Sequence, residues 1–300
     1  MNKPAVLHLF PQVDITKIKS TKDLECSSKP HKRKPNQIND LDLENWKSLD
    51  HIWTDSLWLI PQRDNSGSHT GEYHGNFVPQ IPRQIIQRYT KKGDVVVDGF
   101  LGSGTTLIES QRLGRHGIGI ELLPGVAERA KQLIYGECNE HNVYNEIIVA
   151  NSADVGAKGK IHNALKKAGK ENSNLVILHP PYHDIIRFSD NPNDLSNTCS
   201  VEDFCNSFGT VIDNTTFHLQ KDKYLVIVIG DKYSNSEWIP LGFYVMQEAL
   251  KRDFKLKSIV VKDMQGNRAK QNQQQLWRYR ALNGGFYIFK HEYIFILKKQ

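Results

Sequence analysis

The tetrapeptide His179-Pro180-Pro181-Tyr182 combines hydrogen-bond acceptors with an aromatic ring. A neutral imidazole offers one acceptor nitrogen, and the backbone carbonyl of Pro180 is a second acceptor. Two successive prolines fix φ and remove N–H groups, so that carbonyl is held rigidly. We interpret these four residues, the Pro-Pro-Tyr turn, as a candidate catalytic centre. The alternative is a proline turn that only ends a strand.

A glycine-rich segment precedes this turn in the chain and reads Phe100-Leu101-Gly102-Ser103-Gly104-Thr105-Thr106. It follows a short apolar run directly and opens a segment with helical spacing. Glycines at such a strand-to-helix turn let the backbone approach a ligand closely. Glu121 ends the next strand, about 20 positions on, where a carboxylate can accept both hydroxyls of a ribose. The pattern predicts a ribose-containing ligand, with a packing turn as the alternative.

The spacing of these glycines argues against a dinucleotide site. A third glycine is expected three residues after Gly104, but that position is Leu107. The segment also lacks the lysine of a phosphate-binding P-loop. A dehydrogenase is therefore disfavoured, although it stays open as an alternative.

Short apolar runs alternate with segments of helical spacing along most of the chain. Strands are expected at residues 94–98, 116–121, 146–150, 174–179, 224–229 and 256–262, with 286–289 and 293–297 as the last two, and helices at 80–89, 103–113, 124–136, 157–168, 201–219 and 241–251. This alternation implies a parallel sheet covered on both faces. We predict an α/β fold with a doubly wound, Rossmann-like sheet of seven strands, mainly parallel with an antiparallel edge hairpin.

Length and composition set outer limits on the function. The 300 residues suffice for one large α/β domain, and the net charge of +6 favours a polyanionic partner. The cysteines form no Cys-x-x-Cys pair, so neither a metal site nor a disulfide framework is expected. Since no signal-like or membrane-spanning apolar run occurs, we expect a cytoplasmic protein with no membrane partner. Residues 1–50 are predicted to form a basic, flexible extension, and 51–300 the domain.

Taken together, these motifs resemble the amino-group (adenine N6 / cytosine N4) DNA methyltransferases. Residues 98–106 are similar to the cofactor loop of that family. Residues 179–182 resemble its Asp/Asn/Ser-Pro-Pro-Tyr motif, with His179 as a departure at the first position. Upstream, residues 75–82 resemble its third cofactor segment, so the motif order is gamma-like. The resemblance covers residues 73–300 and is weakest in the last third.

The resemblance implies a class I methyltransferase sheet, the cofactor S-adenosylmethionine and a target base flipped out of the DNA. Asp98 is expected to face the ammonium group of the cofactor, and Asp154 to accept from its adenine amino group. The implied cofactor-binding residues are Phe77, Pro79, Asp98, Phe100, Gly102, Ser103, Gly104, Thr105, Glu121 and Asp154. The implied catalytic residues are those of the Pro-Pro-Tyr turn, and no metal is implied.

An aromatic amine is a poor nucleophile because its lone pair is delocalised into the ring. Acceptors aimed at the amino hydrogens localise that pair, and Tyr182 is expected to stack on the flipped base. His179 can supply an acceptor only as a neutral imidazole of the right tautomer. We therefore expect a rate that falls as the pH drops through the pKa of His179.

The segment 263–281 breaks the strand–helix rhythm and is rich in amides and bases. We predict it as a DNA-recognition loop in which Arg268, Lys270, Arg278 and Arg280 contact the nucleic acid. A solvated loop is the alternative. The predicted partner is double-stranded DNA, with adenine N6 favoured over cytosine N4, and a partner nuclease is possible. RNA base methylation and a catalytically inactive nucleic-acid-binding fold stay open as alternatives.

Overall fold

The computed structural model of the chain describes residues 38–73, 75–264 and 274–300. The predicted extension therefore lies outside the described residues except for its last part, 38–50. In that part, the Asp40 carboxylate lies 2.7 Å from Nη2 of the buried Arg115, and Asn39 Nδ2 donates to the Arg88 carbonyl at 2.8 Å. Residues 38–50 thus contact the domain that follows them.

The described residues form an α/β domain. Its elements are β1 (Leu57–Trp58), α1 (Gln80–Tyr89), β2 (Val95–Asp98), α2 (Thr105–Arg112), β3 (His116–Glu121), α3 (Pro124–Gly136), β4 (Asn145–Val149), α4 (Ala157–Lys167), β5 (Ser173–Leu178), α5 (Val201–Thr215), β6 (Leu219–Ile229), β7 (Lys232–Ser234), β8 (Glu237–Ile239), α6 (Leu241–Leu250), β9 (Phe254–Asp263), α7 (Gln274–Gly284) and β10 (His291–Lys299). Among these helices, none has the length and apolar character that crossing a membrane requires.

The main sheet contains eight strands in the order β1-β9-β10-β6-β5-β2-β3-β4, one more than predicted, because the two-residue β1 joins its edge. Strands β4, β3, β2, β5 and β6 pair in parallel, and the two-residue β1 is parallel to β9. β10 is antiparallel to both of its neighbours, β6 and β9. The predicted fold class, a doubly wound and mainly parallel sheet with an antiparallel pair towards one edge, is confirmed.

The central strands bury both faces, which explains their nearly continuous apolar sequence. Side chains alternate between two core clusters, so Val95 and Val97 belong to one and Val96 to the other. The first cluster includes apolar residues of α4, α5 and α6, and the second includes residues of α1. The helices thus cover the two faces of one sheet, as the alternation of elements predicts.

Two predicted elements near the end of the chain are different in the structure. The antiparallel partner of β10 is β9, whereas residues 286–290 form no strand. Phe286 instead stacks on Tyr233 of β7 at a centroid distance of 4.0 Å, and Phe289 packs edge-on against Trp238 of β8 at 4.9 Å. Their apolar character serves packing against the β7–β8 hairpin rather than strand pairing.

The boundary between α5 and β6 also differs from the prediction. The helix ends at Thr215 and the strand begins at Leu219, instead of a helix to 219 and a strand from 224. The register of β6 against β5 shifts near its start, and Asp222 has a φ of 65°. This irregular and polar first part lacks the alternation of a regular strand, so the sequence pattern reveals only the apolar second part.

Candidate active site

The order of the strands creates a crevice at one edge of the sheet. The chain passes from β2 through β3 to β4, and then returns to the other side of β2 to form β5. In such a sheet, ligands bind outside the carboxyl ends of the strands at this switch point. The loop that contains Gly102 follows β2, and the Pro-Pro-Tyr turn follows β5, so both lie at this crevice.

A cavity of about 410 Å³ lies at the switch point. Its lining comes from segment 75–78, loop 99–103, the strand ends at 120–123 and 150–152, the Pro-Pro-Tyr turn, the segment from 185 to 195, and Tyr73, Lys262, Met264 and Glu292. The structure thus brings together residues that are far apart in the sequence. No group of His, Cys, Asp or Glu side chains suited to hold a metal ion occurs in the part of the chain that the structure describes.

All four residues of the Pro-Pro-Tyr turn line this cavity. The half-buried imidazole of His179 packs edge-on against Phe77 at a centroid distance of 4.8 Å. Tyr182 lies against Gly230 at the end of β6, where a Cβ atom would be 3.0 Å from its Cε2. The glycine therefore leaves the space that the tyrosine ring occupies.

Two charged residues missed at the level of the sequence lie beside this turn. Tyr182 Oη donates to Glu292 Oε2 at 2.7 Å, and Lys262 Nζ lies 2.9 Å from Glu292 Oε1. Lys262 and Glu292 face each other across β9 and β10, and both are buried. The sequence does contain a signal for both residues. Alternate residues of a strand share a face, so Lys262 lies on the face of buried Val260, and Glu292 on the face of buried Ile294.

The electrostatics of this cluster keep its groups in defined protonation states. Burial alone raises the pKa of Glu292, but the charge of Lys262 and the hydrogen bond from Tyr182 lower it below its usual value. Burial and the neighbouring carboxylate raise the pKa of Tyr182 well above its usual value. Burial lowers the pKa of His179 to about 4. At neutral pH, Glu292 is ionised, Tyr182 protonated and His179 neutral.

The loop after β2 is held by acidic side chains on either side of it. Phe100 N donates to Asp98 Oδ1 at 2.8 Å, while Asp98 Oδ2 has no hydrogen bond of good geometry. Burial raises the pKa of Asp98 to about 6, against the opposing effects of the Thr106 hydroxyl and the Phe100 amide. Gly102 N donates to Glu121 Oε2 at 2.9 Å. These bonds fix the path of the loop along the cavity.

Glu121 lines the cavity on the side of the glycine loop. Besides Gly102, its carboxylate accepts from Leu123 N at 2.9 Å. Burial raises its pKa, and these two backbone N–H groups oppose that effect. A carboxylate has about four lone-pair sites, so acceptor capacity is left for a ligand.

The structure separates the predicted cofactor-binding residues into two groups. Phe77, Phe100, Gly102, Ser103 and Glu121 line the cavity. The others do not line it, namely Pro79, Asp98, Gly104, Thr105 and Asp154.

Two of the residues outside the lining shape the loop from behind. Gly104 has a φ of +87°, and a Cβ there would lie 2.8 Å from Ile134 Cδ1 in α3. This glycine therefore permits close packing of α3 rather than contact with a ligand. Thr105 Oγ1 donates to Asn76 Oδ1 at 2.6 Å, which ties the loop to the segment that contains Phe77.

Asp154, which was expected to accept from the adenine amino group of the cofactor, lies outside the cavity lining. Its side chain is exposed, and Asn151 Nδ2 lies 3.3 Å from its Oδ1. Ala150, which follows β4 directly, lines the cavity together with Asn151 and Ser152. The turn after β4 is tighter than the sequence indicates, so its first polar residues reach the cavity and its acidic residue points to solvent.

The segment around Phe77 is anchored by a buried ionic cluster. Glu109 of α2 accepts from Arg83 Nε at 2.8 Å and contacts His69 Nε2 at 2.6 Å. Arg83 Nη2 also donates to Asp64 Oδ2 at 2.6 Å. One carboxylate thus joins α2, α1 and the chain that leads to Phe77.

The structure describes only some of the predicted DNA-recognition residues. Arg268 and Lys270 lie outside the described residues. Arg278 and Arg280 are exposed on α7, so the last part of the predicted recognition loop is a helix. Arg280 lies over the ring of Trp277 at 5.3 Å. Neither arginine lines the cavity, although Met264, at the end of β9, does.

Comparisons with known proteins found similarity to DNA methyltransferases over parts of the chain. Residues 13–132 match a family model for N6/N4 methyltransferases that is described as a DNA methylase. The chain is 40% identical over 74 residues to the type II methyltransferase M.MjaII of Methanocaldococcus jannaschii, covering 24% of this chain and 14% of that protein. It is 31% identical over 105 residues to the type II methyltransferase M2.DpnII of Streptococcus pneumoniae, covering 34% and 35%. The matches thus span about a third or less of the relatives' own length.

Solved structures with a similar fold share little sequence with this chain. A TehB-like SAM-dependent methyltransferase from Corynebacterium glutamicum has a TM-score of 0.42 and 11% identity, covering 73% of this chain and 87% of that one. A methyltransferase from Pyrococcus furiosus has a TM-score of 0.45 and 11% identity, covering 77% and 87%. Over these parts of its length, the chain is similar to proteins that are named as DNA methyltransferases.

Proposed function

We propose that this chain transfers a methyl group from S-adenosylmethionine to the exocyclic amino group of a base in duplex DNA. Adenine N6 is favoured over cytosine N4 because it is the commoner target among proteins that the motifs resemble. The observation that carries the proposal is that the Pro-Pro-Tyr turn and the Gly102–Glu121 pair open onto one cavity. The DNA methylase match and the type II relatives support DNA as the substrate.

The cavity fits the cofactor in size and chemistry. Its volume of about 410 Å³ lies in the usual range for small-molecule sites. Glu121 would accept from the ribose hydroxyls, while Phe77 and Phe100 offer apolar surface. Gly102 keeps the loop open, because a Cβ there would lie 3.1 Å from Tyr73 Cε1. When bound, S-adenosylmethionine supplies an electrophilic methyl group.

We propose other roles for some of the predicted cofactor-binding residues that do not line the cavity. Asp98 and Thr105 hold the loop through Phe100 N and Asn76, so we propose them as positioning residues. We propose Asn151, just after β4, in the role first expected of Asp154, because Asn151 lines the cavity.

The Pro-Pro-Tyr turn would act on the target amine by hydrogen bonding. His179 and the Pro180 carbonyl accept from the two amino hydrogens, which localises the nitrogen lone pair towards the methyl group. Tyr182 stacks on the flipped base, and the edge contact with Phe77 holds the imidazole in place. The chemistry consists of positioning and electrostatics, without a covalent enzyme intermediate.

DNA would lie across the mouth of the cavity. Exposed Ile185 and Ile186 border the mouth on the side of the Pro-Pro-Tyr turn. Helix α7, with exposed Arg278, Tyr279 and Arg280, belongs to the segment between β9 and β10 that starts at the cavity. Arginines of this kind bind phosphates or guanine edges. A nuclease that cuts the same DNA is the partner that such an activity suggests.

The activity is tested by coexpressing the protein with a plasmid and analysing the nucleosides by mass spectrometry. We expect a methylated amino base, N6-methyladenine in the first place, and its loss in the His179→Ala variant. Purified protein is then compared on duplex DNA and on tRNA. Methylation of tRNA alone would favour the RNA alternative, and cofactor binding without any methylated nucleoside would favour an inactive fold.

The assignment of Glu121 is tested by calorimetry with S-adenosylmethionine. We expect Glu121→Ala to weaken binding about tenfold or more, because hydrogen bonds to a charged group contribute about 1.5–3 kcal/mol each. Asp154→Ala is the matched control and should bind like the wild type, since this carboxylate is exposed and outside the cavity. Equal losses in both variants would contradict the separation that the structure makes.

The pH dependence of methyl transfer follows from the protonation of His179. Because its pKa in the fold is about 4, we expect protonation of His179 to cause no fall in the single-turnover rate from about pH 8 to 5.5 once the titration of Asp98 near pH 6 is removed with the Asp98→Asn variant. The folded pKa lies below the unfolded value of about 6.5, so acid also favours the unfolded state below that pH. Circular dichroism at each pH separates the two effects. A rate that falls near pH 6.5 in folded Asp98→Asn protein would contradict the low pKa of His179.

The role of α7 is tested by the salt dependence of DNA binding. We expect the Arg278→Ala, Arg280→Ala double variant to bind more weakly and to lower the slope of log K against log salt by about 2, since each phosphate contact contributes about 0.9. Lys166→Ala with Lys167→Ala, exposed at the end of α4, is the charge-matched control. An unchanged slope in the arginine variant would reject this surface.

A further inference from the structure

The Pro-Pro-Tyr turn is linked to the sheet by a chain of polar groups that runs from Lys262 to His179. Lys262 contacts Glu292, Glu292 accepts from Tyr182, and the Tyr182 oxygen lies 3.3 Å from His179 Nε2. All four side chains line the cavity. A buried charged pair contributes little to stability by itself, because desolvation offsets its attraction. Stability alone therefore does not explain the buried pair of Lys262 and Glu292.

The direction of each hydrogen bond between Lys262 and His179 follows from the number of protons that each group can donate. Lys262 can only donate, and an ionised Glu292 can only accept. Tyr182 therefore donates its single hydroxyl proton to Glu292. The distance of 2.7 Å between Tyr182 Oη and Glu292 Oε2 is typical of a hydrogen bond to a carboxylate. The Tyr182 oxygen is left as an acceptor on its other side.

His179 must then donate from Nε2 to Tyr182. With the opposite tautomer, a lone pair on Nε2 would face the lone pairs of the Tyr182 oxygen, which is unfavourable. We propose that the Lys262–Glu292–Tyr182 chain fixes His179 as the Nε2–H tautomer and so reserves Nδ1 as the acceptor for the target amine. This inference rests on the proposed function, and it makes Lys262 and Glu292 positioning residues.

Lys262 has a specific part in this chain. Without its charge, burial would favour a protonated Glu292, and a protonated carboxyl can donate to Tyr182. Tyr182 would then donate to His179 Nε2, and the imidazole would carry its proton on Nδ1. The ammonium group thus sets the direction of every bond that follows it. Lys262 and Glu292 are the charged groups that act on the His179 imidazole.

The inference is tested by NMR of protein labelled with 15N-histidine at neutral pH, without cofactor or DNA. Protonated and unprotonated imidazole nitrogens resonate far apart, and the His179→Gln spectrum identifies the signal among the 12 histidines. We expect a neutral ring with the proton on Nε2. A proton on Nδ1, or an imidazolium, in the wild type would overturn the inference, whatever the variants show.

The Glu292→Gln variant should reverse the direction of the hydrogen bonds that lead from residue 292 to His179. Lys262 can only donate, so the amide oxygen of the new side chain faces it and the amide nitrogen faces Tyr182. We expect the His179 proton to move to Nδ1 and the single-turnover rate to fall about 10- to 1000-fold, as for the loss of an oriented hydrogen-bonding group. Glu248→Gln, which neutralises a buried, ion-paired glutamate on α6, should change neither quantity.

A second variant covers the case in which Glu292→Gln does not fold. Tyr182→Phe keeps the ring that stacks on the base and removes the hydroxyl, so we expect a mixture of the two tautomers of His179. A single Nε2–H tautomer in that variant would overturn the inference. Wild-type protein that does not methylate any nucleic acid would count against the proposed function alone, because the tautomer is measured without substrate.

Discussion

The position of β2 between β3 and β5 is the constraint on which the candidate site depends. Parallel pairing on both sides places the ends of these three strands at one edge, within reach of a single ligand. Glu121 ends β3, the glycine loop follows β2, and the Pro-Pro-Tyr turn follows β5. Any other strand order would move at least one of these groups away from the cavity.

The sequence reveals the parts of this arrangement that lie in the loops directly after buried strands. Glu121, Gly102 and Tyr182 could be predicted, because a short apolar run fixes the strand end and the residues after it must lie at the sheet edge. Asp154 could not be placed in this way, since the tightness of the turn after β4 decides which polar residue reaches the cavity. Local spacing carries no information about that turn.

Lys262 and Glu292 illustrate a different limit. In the sequence, Lys262 ends the predicted strand 256–262 and Glu292 directly precedes the predicted strand 293–297. Although both continue the alternation of a buried face, a charge at a strand end is usually exposed to solvent. Only the antiparallel register of β9 and β10 places the two opposite each other and beneath Tyr182. Such a contact between distant strands depends on tertiary pairing, so the same two residues become a buried pair instead of two exposed charges.

Histidine at the first position of the turn changes what the surrounding structure must provide. A carboxylate accepts hydrogen bonds from either oxygen, whereas a neutral imidazole accepts at only one nitrogen. The imidazole avoids the cost of desolvating a charge in the half-buried cavity, but its acceptor has a fixed direction. The edge contact with Phe77 and the hydroxyl of Tyr182 supply the orientation that a carboxylate does not need.

The pairing of β9 with β10 also has a consequence for how this protein can diverge. Nine residue pairs hold the two strands in register, including the pair of Lys262 with Glu292. The exposed residues of α7, which lie between these strands, can therefore be replaced or extended without moving Lys262 and Glu292, since lengthening a loop costs little free energy. Variation in α7 therefore leaves Lys262 and Glu292 in place beside Tyr182.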